Sequence, residues 1–85
     1  MNEGEMEKIA REIAELLKAK NRTYGDKNIE KIGKRGVLVR LEEKLERLKH
    51  MLEHNMQDTE SREDTWKDIA GYAIIGIMLE HGRWS

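Results

Sequence analysis

Cysteine, proline and phenylalanine are absent from this 85-residue chain, and Tyr24, Trp66, Tyr72 and Trp84 are its only aromatic residues. Without cysteine there is no disulfide and no thiolate metal site. Long apolar runs are missing too. The longest, from Ile69 to Leu79, is interrupted by Gly71 and Gly76 and is too short to cross a bilayer. The opening residues MNEGEMEK are acidic and hold no apolar stretch, which reads against export and for the cytoplasm. A large charge of one sign is also lacking: 16 basic and 17 acidic residues leave a formal charge of −1, which argues against coating nucleic acid as the main role.

What remains is 39% charged and 38% hydrophobic, enough for one small domain spanning residues 1–85. A chain of this size has a thin core unless disulfides, a metal or a partner subunit add to it. With the first of these excluded, a second copy of the chain is the expected supplement, giving a homo-oligomer, a dimer or a higher even oligomer.

Apolar spacing predicts an all-α fold with three main helices. The first covers about residues 3–20, with Met6, Ile9, Ala10, Ile13, Leu16 and Leu17 on one stripe. The stretch NRTYGDKN then reads as a turn, and Ile29 to Gly36 as an ambiguous segment broken by Gly33 and Gly36. The second helix covers about residues 37–55, with Leu38, Leu41, Leu45, Leu48 and Leu52 at alternating steps of three and four, a narrow packing seam. The third covers about residues 61–81, opened by a Ser61/Asp64 capping box and closed at Gly82. It is apolar on two sides: Trp66, Ile69, Ala70, Ala73 and Ile77 on one, and Tyr72, Ile75 and Leu79 beyond Asp64 and Asp68 on the other. One side is expected to meet a second subunit, with Gly71, Ala73 and Gly76 allowing close approach, so that oligomerisation completes a small bundle.

The neutral total hides a segregation. Residues 21–40 hold Arg22, Lys27, Lys31, Lys34, Arg35 and Arg40 against two acids, whereas residues 51–68 hold six acids against Arg62 and Lys67. A glycine-bearing basic segment leading into a helix start at Val37 suits an anion, although a solvated basic turn has the same composition. Glu42, Glu43 and Glu46 cluster on one flank of the second helix, and Asp64 and Asp68 share a face of the third. Carboxylates on two facing helices suit Mg²⁺, while Glu43 can equally pair with Arg47 one turn on. Asp68, on a partly shielded face, needs a counterion, either a metal or cations such as Lys44, Arg47 and Arg40. His50 and His54 read as a solvated pair, and no Ser/His/Asp or Cys/His arrangement can be assembled.

Four stretches carry a family resemblance: Lys20…Tyr24-Gly25, Gly36-Val37-Leu38-Val39-Arg40, Glu43-Lys44-Leu45-Glu46-Arg47-Leu48, and Asp64-Thr65-Trp66-Lys67-Asp68-Ile69-Ala70-Gly71-Tyr72-Ala73. Together they resemble the small phage nucleotide-modification-associated domain over roughly residues 18 to 78. The carboxylate layout is also similar to the MazG-type all-α nucleoside triphosphate pyrophosphohydrolases. Glu42, Glu43 and Glu46 match their first motif, and Thr65 stands where their second has glutamate, with Asp64 one place before it. The resemblance implies a phage-encoded viral protein in the host cytoplasm with a link to nucleotides and, as an anti-defence device, to signalling nucleotides.

The expected function is therefore binding of a nucleotide or cyclic nucleotide through its phosphates. Arg22, Tyr24, Lys27, Lys34, Arg35, Arg40, Lys44 and Arg47 are the expected ligand residues. In an enzymatic version, Glu43, Glu46, Asp64 and Asp68 hold Mg²⁺ for pyrophosphohydrolysis. The alternative is a host-takeover adaptor that binds a host protein or RNA through its oligomeric helical surface.

Overall fold

The computed structural model describes residues 1–54 and 59–85. Three helices follow in order: α1 Glu3–Tyr24, α2 Asp26–Glu53 and α3 Thr59–Glu80. No strand occurs among the described residues. The all-α expectation holds, and each helix differs from its expected bounds for a local reason.

α1 starts where Asn2 caps it, its Oδ1 accepting from the Glu5 N–H at 3.0 Å. It runs past Asn21 to Tyr24. The expected turn over NRTYGDKN shrinks to one residue, Gly25, at φ +77°, whose N–H donates to the Asn21 carbonyl at 2.7 Å. Asn21 then hydrogen-bonds Asp26 at 2.7 Å and joins the two helices.

The basic segment is helix and not loop. α2 begins at Asp26, runs to residue 32, breaks at Gly33 (φ +62°, ψ −169°) and resumes from residue 34, three places before Val37. That backbone conformation is open to glycine and strained for other residues. Gly36 completes the bend, because a Cβ there would lie 2.4 Å from the Ile32 Cβ. The short arm 26–32 thereby folds onto the helix 34–53. The far end of α2 is Glu53, and Asn55, where the sequence placed it, lies outside the described residues.

α3 starts two residues before Ser61, so the expected Ser61/Asp64 capping box does not form. Ser61 Oγ instead accepts from Arg47 Nη2 at 3.2 Å, and its carbonyl accepts from Thr65 Oγ1 at 2.8 Å. The Gly82 stop does form: Gly82 N–H bonds the Leu79 carbonyl at 3.1 Å and Arg83 N–H the Met78 carbonyl at 2.9 Å, a Schellman ending.

α2 and α3 run antiparallel, as three contacts in reversed order show: Lys34–Glu80 at 3.3 Å, Lys44–Asp68 at 3.1 Å and Arg47–Ser61 at 3.2 Å. They make the main packing pair, and α1 lies across α3. Gly71 faces inward here, since a Cβ on it would lie 3.0 Å from Leu17 Cδ2. Its small size admits α1 of the same chain, not a second subunit. Ile29, Val37 and Ile75 form the core, surrounded by Leu17, Ile32, Tyr72, Leu79 and Trp84.

The α2 seam is rotated from its expected phase. Val37, Leu48 and Met51 are buried with Leu41 beside them, while Leu38, Leu45 and Leu52 stay about half exposed. The apolar surface of α2 is wider than one seam, and the chain covers only part of it. α3 divides similarly: Ile75 is buried with Tyr72 and Leu79 beside it, and Trp66 and Ile77 are exposed. No helix among the described residues is long and apolar enough to cross a membrane.

Candidate functional site

The helices leave a cleft of about 440 Å³ between α1, the short arm of α2 and α3. That volume lies in the range of small-molecule sites. Its lining is in part apolar, from Ile13, Leu17, Ile29, Ile32 and Ile75 with the aromatic Tyr24, Tyr72 and Trp84. It is in part cationic: Lys20 from α1, Arg40 and Lys44 from α2 and Lys67 from α3, with Asp68 the one carboxylate among the lining residues. Trp84, among the lining residues, is tied to the start of α2, its Nε1 donating to the Asp26 carbonyl at 2.9 Å across 58 residues of sequence.

Asp68 organises the polar wall. Its Oδ1 accepts from Lys20 Nζ at 2.8 Å and its Oδ2 pairs with Lys44 Nζ at 3.1 Å, so one carboxylate ties all three helices. Partial burial pushes its pKa up. The hydrogen bonds and positive charges of Lys20 and Lys44 outweigh that effect and hold it below the ordinary aspartate value of 3.8. Lys67 reaches Glu12 at 3.6 Å on the other flank. Arg40 has no ion-pair partner among the described residues and stands free at the cleft.

Because the folded pKa of Asp68 is depressed, its stabilising contribution is present above the unfolded value. It is lost as pH falls from about 4 through the folded pKa, where the unfolded chain takes up the proton first. Thermal melts from pH 6 down to pH 2 should show a fall in this window that is shallower in Asp68→Asn. Identical slopes would mean that the carboxylate carries no net pairing energy.

A smaller cavity of about 260 Å³ adjoins the cleft and shares Lys44 and Asp68 with it; Arg47, Glu60, Ser61, Asp64 and Thr65 complete its lining.

The chain matches no family model, no curated protein and no solved structure.

The expected ligand residues are only partly brought together. Tyr24, Arg40 and Lys44 line the cleft and Arg47 the adjoining cavity. Arg22, Lys27 and Arg35 are exposed and line neither, and Lys34 pairs with Glu80. These four were grouped by a presumed loop, and once the segment is helical they point to different sides. Lys20 and Lys67 were missed as site residues because they lie outside the basic segment. The only sequence signal for Lys20 was its place in the Lys20…Tyr24-Gly25 stretch.

The carboxylates expected to hold Mg²⁺ do not converge. Asp64 and Asp68 meet at the smaller cavity, while Glu43 and Glu46 are exposed and line neither one. Among the described residues, no three His, Asp or Glu side chains form a metal-holding group. Asp68 has Lys20 and Lys44 as its partners. His50 and His54 stand exposed with ring centroids 4.3 Å apart.

Proposed function

We propose that this chain binds a nucleotide or nucleotide-derived signalling molecule in the cleft between its three helices, and holds it without hydrolysing it. One observation carries this reading: four cations from three separate helices line a single cleft together with aliphatic and aromatic side chains. A phosphate needs charge-assisted donors, and a base needs a flat apolar surface. Both lie within one volume of nucleotide size. Lys20, Arg40, Lys44 and Lys67 take the phosphates, and Tyr24 at the mouth, about 71% exposed in the free protein, closes over the base. The motif resemblance, which implies a phage protein acting on nucleotides, points the same way.

Asp68 is the occupant's stand-in in this account. With the cleft free, its carboxylate neutralises Lys20 and Lys44. A bound phosphate competes for the same two cations, so binding exchanges one anion for another and keeps the cluster from strong net repulsion. The carboxylate positions favour holding over cleaving, because they gather no metal-binding set near the cations.

A thermal-shift screen of nucleoside mono-, tri- and cyclic phosphates tests this directly. A ligand at a hundred times its Kd raises stability by about 2.7 kcal/mol, so a concentration-dependent rise in Tm is expected for at least one class. Asp68→Asn should destabilise the chain in buffer by about 1–2 kcal/mol after allowance for solvent screening at Lys20, and so lower its Tm. Added phosphate ligand should restore it by more than it raises the wild type. A screen with no shift for any nucleotide would overturn the proposal.

A further inference from the structure

The protomer exposes more surface than a self-sufficient monomer of its size. Its accessible area is 6657 Å², whereas a folded monomer of 10.0 kDa exposes about 5,200 Å². The surplus is roughly 1,400 Å², and each partner in a standard stable interface contributes about 800 Å². Its radius of gyration, 13.9 Å, exceeds the roughly 12 Å of a compact domain of this length. The short core noted in the sequence is thus a measurable excess of exposed surface, and one part of it, on α2 and α3, forms a regular apolar row.

On α2, Leu38, Leu45 and Leu52 are 52%, 47% and 55% exposed. At about 100° per residue they lie roughly a quarter turn from Val37, Leu48 and Met51, on the side away from Arg40 and the cleft. On α3, Trp66 and Ile77 are 56% and 57% exposed, and by the same rotation they point away from the Lys67–Gly71 side that meets α1. With α2 and α3 antiparallel, both rows fall on the back of the pair, opposite α1.

We infer that this back face is covered by a second copy of the chain, with the two α2 helices antiparallel about a two-fold axis near Leu45. The spacing is self-complementary. Leu38, Leu45 and Leu52 repeat every seven residues, so reversing the helix about Leu45 sets Leu38 against Leu52 of the partner subunit and Leu45 against Leu45 of the partner subunit. The charges between them agree with this register. Glu42 and Lys49 are both exposed, and neither has an ion-pair partner among the described residues. The same reversal brings Glu42 beside the partner's Lys49, twice by symmetry. Trp66 is level with Leu45 as judged from the Lys44–Asp68 pair, toward the outer edge of α3. The two clefts stay open on the outer faces.

Because the chain has no cysteine, Leu45→Cys gives an unambiguous probe. Light scattering of the wild type at micromolar concentration should return at least about 20 kDa, a closed two-fold pair or a multiple of it. Under mild oxidation Leu45→Cys should form a covalent dimer on a non-reducing gel, while Lys27→Cys, far from the face, should not. Leu45→Glu should reduce the mass to that of the single chain, with helical circular dichroism retained at high protein concentration. A wild type that sediments as a 10.0 kDa monomer would overturn the inference and leave the face to a partner of different sequence. So would an oligomer whose mass Leu45→Glu leaves unchanged, or in which Leu45→Cys does not cross-link. The face is opposite the cleft, so nucleotide binding by a monomer would sink this inference alone.

Discussion

Gly36→Ala is expected to destabilise the protein by about 1–3 kcal/mol, although alanine is the better helix former. The added Cβ would sit 2.4 Å from Ile32 Cβ and 2.9 Å from its Cγ1. Both atoms are close to the backbone of the short arm, so the arm itself must move. At about 4–8 °C per kcal/mol for a domain of this size, the loss is easily read in a thermal melt. Gly76→Ala is the matched control. Nothing lies within 4 Å of a Cβ at Gly76, and the same substitution there should stabilise by about 0.5–1 kcal/mol through propensity alone. Combining Gly36→Ala with Ile32→Ala should recover part of the loss, a coupling that independent sites would not show. If Gly36→Ala were as benign as Gly76→Ala, the folded-back arm would be wrong, and with it one wall of the cleft.

The second large effect falls on binding. Arg40→Ala should weaken nucleotide binding by about tenfold to a hundredfold, the loss of one charge-assisted contact to phosphate worth about 1.5–3 kcal/mol. Tm in the absence of ligand should stay within about 2 °C, because Arg40 is exposed and has no ion-pair partner among the described residues. Lys44→Ala tests the same wall with a different signature. It removes a phosphate donor and also unpairs one oxygen of Asp68, so affinity and stability should fall together. Arg22→Ala, on an exposed residue outside the cleft, should change neither. Isothermal titration with the nucleotide giving the largest thermal shift separates these outcomes. Equal affinity in Arg40→Ala and wild type would place the phosphates elsewhere.

The sequence was legible where periodicity and punctuation agreed. The α1 stripe around Ile13, the Gly82 ending of α3 and the two-sided apolar character of α3 were all visible, because each rests on neighbours three or four residues apart. The segment from Asn21 to Gly36 misled for a physical reason. Gly25, Gly33 and Gly36 together suggest a loop, yet only Gly25 and Gly33 leave the helical conformation. Gly36 is a packing position within a helix, and its role depends on Ile32 folding back across a bend that no local pattern reveals. The leucine seam of α2 is rotated from the expected one by about half a residue's turn, with Leu41 and Leu48 common to both, because Val37 and Met51 extend the apolar surface on one side of it. Which side faces inward is decided by α3, not by α2 alone.

At the site, Asp68 was singled out as a shielded carboxylate that needs cations, and Lys44 as one of those that could supply them. Lys20 was not, since the contact spans 48 residues between two helices. Trp84 gave no signal of its hydrogen bond to Asp26 across 58 residues. Long-range pairs of this kind depend on the crossing of α1 over α3, which Gly71 permits by admitting Leu17. Charge segregation along the chain was therefore a poor guide to charge in space. The basic segment scatters its cations around α2, and the cationic wall draws on three helices.

The most direct test of the central claim is an amide chemical-shift titration of the full chain with nucleoside mono-, tri- and cyclic phosphates. Binding in the cleft predicts saturable shifts at Lys20, Gly25, Arg40, Lys44, Asp68 and Tyr72, together with the indole N–H of Trp84, while Leu38, Leu45 and Leu52 on the back face stay unmoved. Shifts confined to Arg22, Lys27 and Arg35, or no saturable shift with any nucleotide, would contradict it.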